Sequence, residues 1–159
     1  MGLTLSPTFI PFLPWTNSGG YLDLLQLLVN LELVDYVAPV QLSIRLLIPE
    51  GSRLLDLPVT KEHLLGFDGA ALCYQWSHPD PSMDLLHNRI SRIVEIGEAE
   101  NKPRREIFSE VWHSTHEVCG LKAPELYQME NSGAPIHVPC LSEPWYCCAE
   151  PTESQLSEF

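Results

Sequence analysis

The sequence predicts an α/β chain, on three observations. Apolar residues alternate with polar ones over 3–12 and 37–48, as in strands. Between them, from about Gly20 to Glu32, runs a helix that is apolar almost all round: Tyr21, Leu22, Leu24, Leu25, Leu27, Leu28, Val29 and Leu31. Two further helical patterns follow after residue 80. Strand, buried helix and strand within so short a stretch describe a βαβ unit, which implies parallel pairing.

The first strand is expected over Leu3–Phe12, at an edge or with an irregular ladder because Pro7 and Pro11 bring no backbone donor. Asn17 or Ser18 is placed to cap the helix. In the second strand, Val40, Leu42, Ile44 and Leu46 alternate with Gln41, Ser43 and Arg45. Pro49-Glu50-Gly51-Ser52 then makes a turn with a cap at Ser52, followed by one short helical turn over Arg53–Leu57. Residues 58–80 read as irregular but ordered, since they carry Leu64, Phe67, Tyr74 and Trp76. Ser82 is expected to cap a helix from Met83 to Glu98, with Leu86, Ile90, Ile93 and Val94 on one face. Pro103 opens another, with Ile107, Val111 and Val118 spaced for one face and Cys119-Gly120 at its end.

A parallel βαβ unit needs neighbouring strands and covering helices. The expectation is therefore that 1–57 holds the last strands of a larger (β/α) barrel, 58–122 a helical extension and 123–159 an acidic, irregular, cysteine-bearing tail. The alternative is a small domain in which the two strands pair and the helices cover one face.

With 9 Lys plus Arg against 21 Asp plus Glu, the net charge is −12. That excludes nucleic-acid binding by phosphate neutralisation and argues against anionic membrane surfaces. No apolar run is long enough to span a membrane and no basic n-region precedes the first apolar residues, so a cytoplasmic protein is expected. The acidity is uneven. Beyond Lys122 there is no Lys or Arg, but there are Glu125, Glu130, Glu143, Glu150, Glu153 and Glu158, together with Cys140, Cys147 and Cys148.

Three groups of residues carry possible chemistry. Adjacent Cα atoms lie ~3.8 Å apart, below the usual disulfide range of roughly 4.4–6.8 Å, so a Cys147–Cys148 bond is strained and readily reduced. Such a pair suits reversible redox work, soft-metal capture or thiol chemistry on a substrate. Two inert thiols are the alternative, because the neighbouring Glu143 and Glu150 disfavour the thiolate. Gln41, Ser43 and Arg45 share one strand face, so in a barrel Arg45 could hold a substrate carboxylate bidentately, with Gln41 beside it. Equally, Arg45 could pair with an acid such as Glu50 or Asp56. Trp15-Thr16 could line the same mouth or pack a loop. His113, His116 and Cys119 follow a ligand-like i, i+3, i+6 spacing, but no fourth ligand lies at a familiar distance, so no metal site is expected. Arg104-Arg105 reads as a solvated face.

Several of these segments resemble a known family. Thr8-Phe9-Ile10-Pro11-Phe12-Leu13-Pro14-Trp15-Thr16, Gly20-Tyr21-Leu22-Asp23-Leu24-Leu25 and 37–52 resemble the late strands and helices of a radical S-adenosylmethionine (SAM) enzyme barrel. Trp145-Tyr146-Cys147-Cys148-Ala149-Glu150-Pro151 resembles the signature of the radical SAM proteins with a CUAEP or CCAEP tail, whose second position may be selenocysteine. The resemblance implies the C-terminal portion of such an enzyme, with Cys147 and Cys148 acting on a small-molecule substrate or as a redox pair. For the full-length protein it implies SAM and a [4Fe–4S] cluster. That cluster needs three cysteine thiolates, usually CxxxCxxC, and the sequence has no such spacing. No cofactor is therefore expected on this chain alone, and a missing N-terminal barrel portion or partner chain is expected to supply one. The rival class is a non-catalytic thiol redox or soft-metal-binding module.

Overall fold

A computed structural model describes residues 7–126. They form a mixed α/β arrangement of four helices and one two-stranded antiparallel sheet. The helices are α1 (Ser18–Asn30), α2 (Pro58–Lys61), α3 (Pro81–Ala99) and α4 (Arg104–Val118). The strands are β1 (Leu64–Asp68) and β2 (Cys73–Trp76). The tail, with Cys140, Cys147 and Cys148, lies outside the described residues.

Helix α1 begins where Asn17 accepts the Gly20 N–H at 2.8 Å. It buries Tyr21, Leu25 and Leu28, while Leu27 and Leu31 are exposed. The expectation of burial on more than one side is thus corrected: Tyr21, Leu25 and Leu28 form one stripe at helical spacing.

The two predicted parallel strands are also corrected. Among the described residues they reduce to one parallel pairing, Phe12 with Arg45, in which Phe12 donates to the Ile44 carbonyl and Leu46 donates to the Phe12 carbonyl. Pro7 and Pro11 bring no N–H to extend the first segment. In the second, Pro39 starts a 3-10 turn over Pro39–Leu42, so Gln41 does not share a strand face with Ser43 and Arg45. The turn is fixed from both sides. Gln41 Oε1 accepts the Phe9 N–H at 3.0 Å, and the buried Tyr21 hydroxyl donates to the Leu42 carbonyl at 2.8 Å. Burial pushes the Tyr21 phenol far up, keeping it neutral as a donor.

The stretch expected to be irregular contains the β1–β2 hairpin. Asp68 Oδ1 accepts from Ala70 N and Ala71 N to shape its turn, and Phe67 meets Tyr74 edge-on. The ladder slips between Leu64 and Gly66. On the other edge of β2, the Tyr74 N–H donates to the Ile48 carbonyl at 2.8 Å. As expected, Ser52 caps a 3-10 turn, here Arg53–Asp56.

Helix α3 is capped by Asp80, which accepts the Ser82 N–H at 2.9 Å, and not by Ser82. Pro81 fills the first helical position, so the cap falls one residue before it. Hydrogen bonding from the Ser82 side chain, then from its N–H, holds the Asp80 carboxyl below its usual range. α3 and α4 pack so closely that a Cβ on Gly97 would lie 2.6 Å from Ile107 Cγ1. The end of α4 matches expectation: Gly120 takes φ 68° and Leu121 donates back to the His116 carbonyl. Arg104-Arg105 is not a solvated face. Arg104 Nη1 donates to the Asp35 carbonyl at 2.8 Å and Arg105 Nε to the Asp35 carboxylate at 2.6 Å, clamping the loop after α1 to the start of α4.

Two hydrophobic clusters result, each drawing on both sides of residue 57. The larger joins Phe12, Tyr21, Leu25 and Leu42 to Met83, Leu86, Ile90, Ile107, Phe108 and Trp112. The smaller centres on Leu46, Ile48 and Trp76, with Ile10, Leu13, Leu54 and Leu64 around it. Among the described residues, no helix is long and apolar enough to cross a membrane.

Candidate functional site

The polar cluster that involves a singled-out residue lies where these two hydrophobic clusters meet. Arg45 leaves the Phe12 pairing and places its guanidinium against the Trp76 indole, 3.7 Å from the ring centre. Arg45 Nη1 donates to Asp84 Oδ1 at 2.8 Å, in the first turn of α3, and Nη2 to the Trp76 carbonyl at 2.6 Å. Asp84 Oδ2 accepts the His78 N–H at 3.0 Å. The indole N–H of Trp76 donates to the Leu46 carbonyl at 2.9 Å, which fixes the ring as a platform. A planar fork, a carboxylate and an aromatic face together exploit what a guanidinium offers and an ammonium does not. Among the described residues Arg45 pairs with the acid Asp84, and with neither of the expected candidates, Glu50 and Asp56.

Two histidines flank this network. His78 is buried. Its Nδ1 lies 2.9 Å from the Asp80 N and 3.0 Å from the Asp80 carbonyl oxygen, and its Nε2 is buried with no partner. His87 Nε2 lies 3.1 Å from the Ser43 carbonyl, and its ring stands edge-on to Phe12. Burial, followed by the charge of Arg45, lowers the His87 pKa to about 4.

The pH dependence follows from that shift. An unfolded His87 takes its proton near pH 6.5, whereas the folded one resists until about pH 4. Between these values the unfolded state binds more protons, so stability is complete above pH 6.5 and falls as pH drops to 4. The loss is at most about 3 kcal/mol. Asp80, whose carboxyl is held low, adds lability at still lower pH. Unfolding free energies measured across pH 4–7 should slope in the wild type and flatten in His87→Gln.

The other predicted residues are dispersed. Gln41 is buried and bonded to Phe9. Trp15 is exposed. His113 lies exposed with Nδ1 on the Ser109 carbonyl, while His116 is buried against the Trp112 ring with Nδ1 on the Trp112 carbonyl. The Cys119 thiol lies 4.0 Å from the Ser18 carbonyl. Among the described residues no group of three or more His, Cys, Asp or Glu is arranged to hold a metal ion. The described cysteines are Cys73, buried in β2, and Cys119, just past α4, so these residues do not fit the three-thiolate demand of a [4Fe–4S] cluster.

Trp76, His78, Asp84 and His87 escaped the sequence reading. Trp76-Ser77-His78-Pro79-Asp80-Pro81 did carry a signal: Asp before Pro marks a cap and first helical position, placing Asp84 in the first turn. Comparison with protein-family models, curated proteins and solved structures gave no match.

Proposed function

We propose that this chain is the C-terminal portion of a radical SAM enzyme of the CCAEP-tail kind, with Cys147 and Cys148 as its reacting thiols. The observation that carries the reading is the peptide Trp145-Tyr146-Cys147-Cys148-Ala149-Glu150-Pro151, set in a tail free of Lys and Arg. The parallel pairing of Phe12 with Arg45 across α1 supports the further reading that 1–57 is the closing part of a (β/α) barrel. The cluster and SAM would be held by a missing N-terminal portion or a partner chain. This chain's share is the thiol pair and the barrel edge. On this reading Arg45 lies on the substrate side and meets a substrate carboxylate by exchanging Asp84 for it, while Gln41 holds the 3-10 turn through Phe9.

A thiol redox or soft-metal-binding module is the second reading, favoured by the absence of CxxxCxxC from the sequence. Both readings put reactive thiols at Cys147 and Cys148. Timed alkylation with peptide mapping should label these two at least about tenfold faster than the half-buried Cys119. Equal, slow labelling would remove the thiol claim.

A further inference from the structure

We infer that the described chain is built as two lobes that open against each other, with the Arg45 guanidinium as the lock between them. One lobe contains α1, the Pro39–Leu42 turn, α3 and α4; the other contains the Arg53–Asp56 turn, α2 and the β1–β2 hairpin. The principal packing partners of every element lie within its own lobe. Each lobe has its own hydrophobic cluster. The chain passes between them through 42–46 and 76–81, and the segment around Phe12 touches both, with Phe9 and Phe12 on the helical side and Ile10 and Leu13 on the hairpin side.

Among the described residues, the polar side-chain contacts across the junction centre on Arg45. Arg45 ties Asp84 of α3 to the carbonyl and ring of Trp76 at the end of β2, and Asp84 also holds the His78 N–H in the connecting segment. The connector buries one polar atom without a partner, His78 Nε2. A buried unpaired polar atom favours any state that admits water, so His78 Nε2 biases the junction toward opening and the Arg45 network opposes it. Opening uncovers the Trp76 face and His78 Nε2 and leaves the helical lobe intact, because its core includes no side chain of the hairpin. The device is a latch built into the fold, and it holds whether or not the tail thiols react.

Native-state amide exchange in sub-denaturing urea tests it. The Leu46 amide, bonded across the junction to the Phe12 carbonyl, should exchange through an opening with weaker urea dependence than those of Val111 and Trp112 in α4. In Asp84→Asn the Leu46 amide should exchange at least about tenfold faster, with the α4 amides within about twofold of wild type. A single isotherm shared by Leu46 and α4 would overturn the two lobes. Equal acceleration of both sets in Asp84→Asn, or none in either, would overturn the lock. If that variant fails to fold, the wild-type isotherms decide.

Discussion

Trp112→Ala should be among the most damaging single substitutions, at about 3–5 kcal/mol. The indole is almost fully buried in the larger cluster, beside Phe108 and against the His116 ring. Truncation leaves a cavity that two helices and a 3-10 turn cannot close without shifting α4. It also removes the hydrogen bond from Trp112 Nε1 to the Pro124 carbonyl at 3.1 Å. That bond, with the packing of Ala123 and Leu126, holds the segment after α4 against the core. Trp112→Phe should lose about half as much, since it keeps apolar volume and loses the donor. Urea unfolding by circular dichroism checks both. Against the ~5–15 kcal/mol of a typical domain, the alanine variant should move the midpoint visibly. A loss below about 1 kcal/mol would mean that Trp112 is not where the helical core closes.

Arg45→Met should cost about 2–3 kcal/mol. Removing one partner of a buried ion pair costs roughly 3–5 kcal/mol, and Asp84 here keeps some access to water, which reduces the penalty. The guanidinium side chain is only 11% exposed, and the methionine would leave Asp84 Oδ1 and the Trp76 carbonyl without their donors. Arg45→Lys should recover only part of the loss, because an ammonium cannot span both acceptors while lying flat on the indole. Equilibrium unfolding of the two variants checks the order. If lysine restores full stability, charge alone matters and the planar geometry does not.

These effects fall where the sequence was only partly legible. Local rules sufficed for much of the helices: the Asn17 cap, the apolar stripe of α3, Ile107 and Val111 of α4, and Gly120 after the last turn all lie within a few residues of what they control, whereas the α3 cap falls on Asp80 and Val118 is exposed. The second strand misled because Gln41, Ser43 and Arg45 alternate with apolar residues, and alternation does not distinguish a strand from a 3-10 turn that Pro39 starts. The hairpin was hidden by the slip between Leu64 and Gly66, which breaks the two-residue period, and by Leu72, which takes φ 54° where a glycine would have signalled a turn. Arg45 stood out as a charged residue in an apolar run. Its partner Asp84 is 39 residues away and becomes visible only when α3 packs across the segment that follows the 3-10 turn. The tail pair, Cys147 and Cys148, rests on the sequence alone, because it lies beyond the described residues.

The central claim is that this chain works with a cluster-bearing barrel. Anaerobic isolation of the native protein from its source, with peptide mass spectrometry of everything that co-purifies in equal amount, tests it most directly. The account predicts a CxxxCxxC peptide, either in the same polypeptide as Cys147 and Cys148 or in a stoichiometric partner. Recovery of the chain with no such peptide in either place would contradict it.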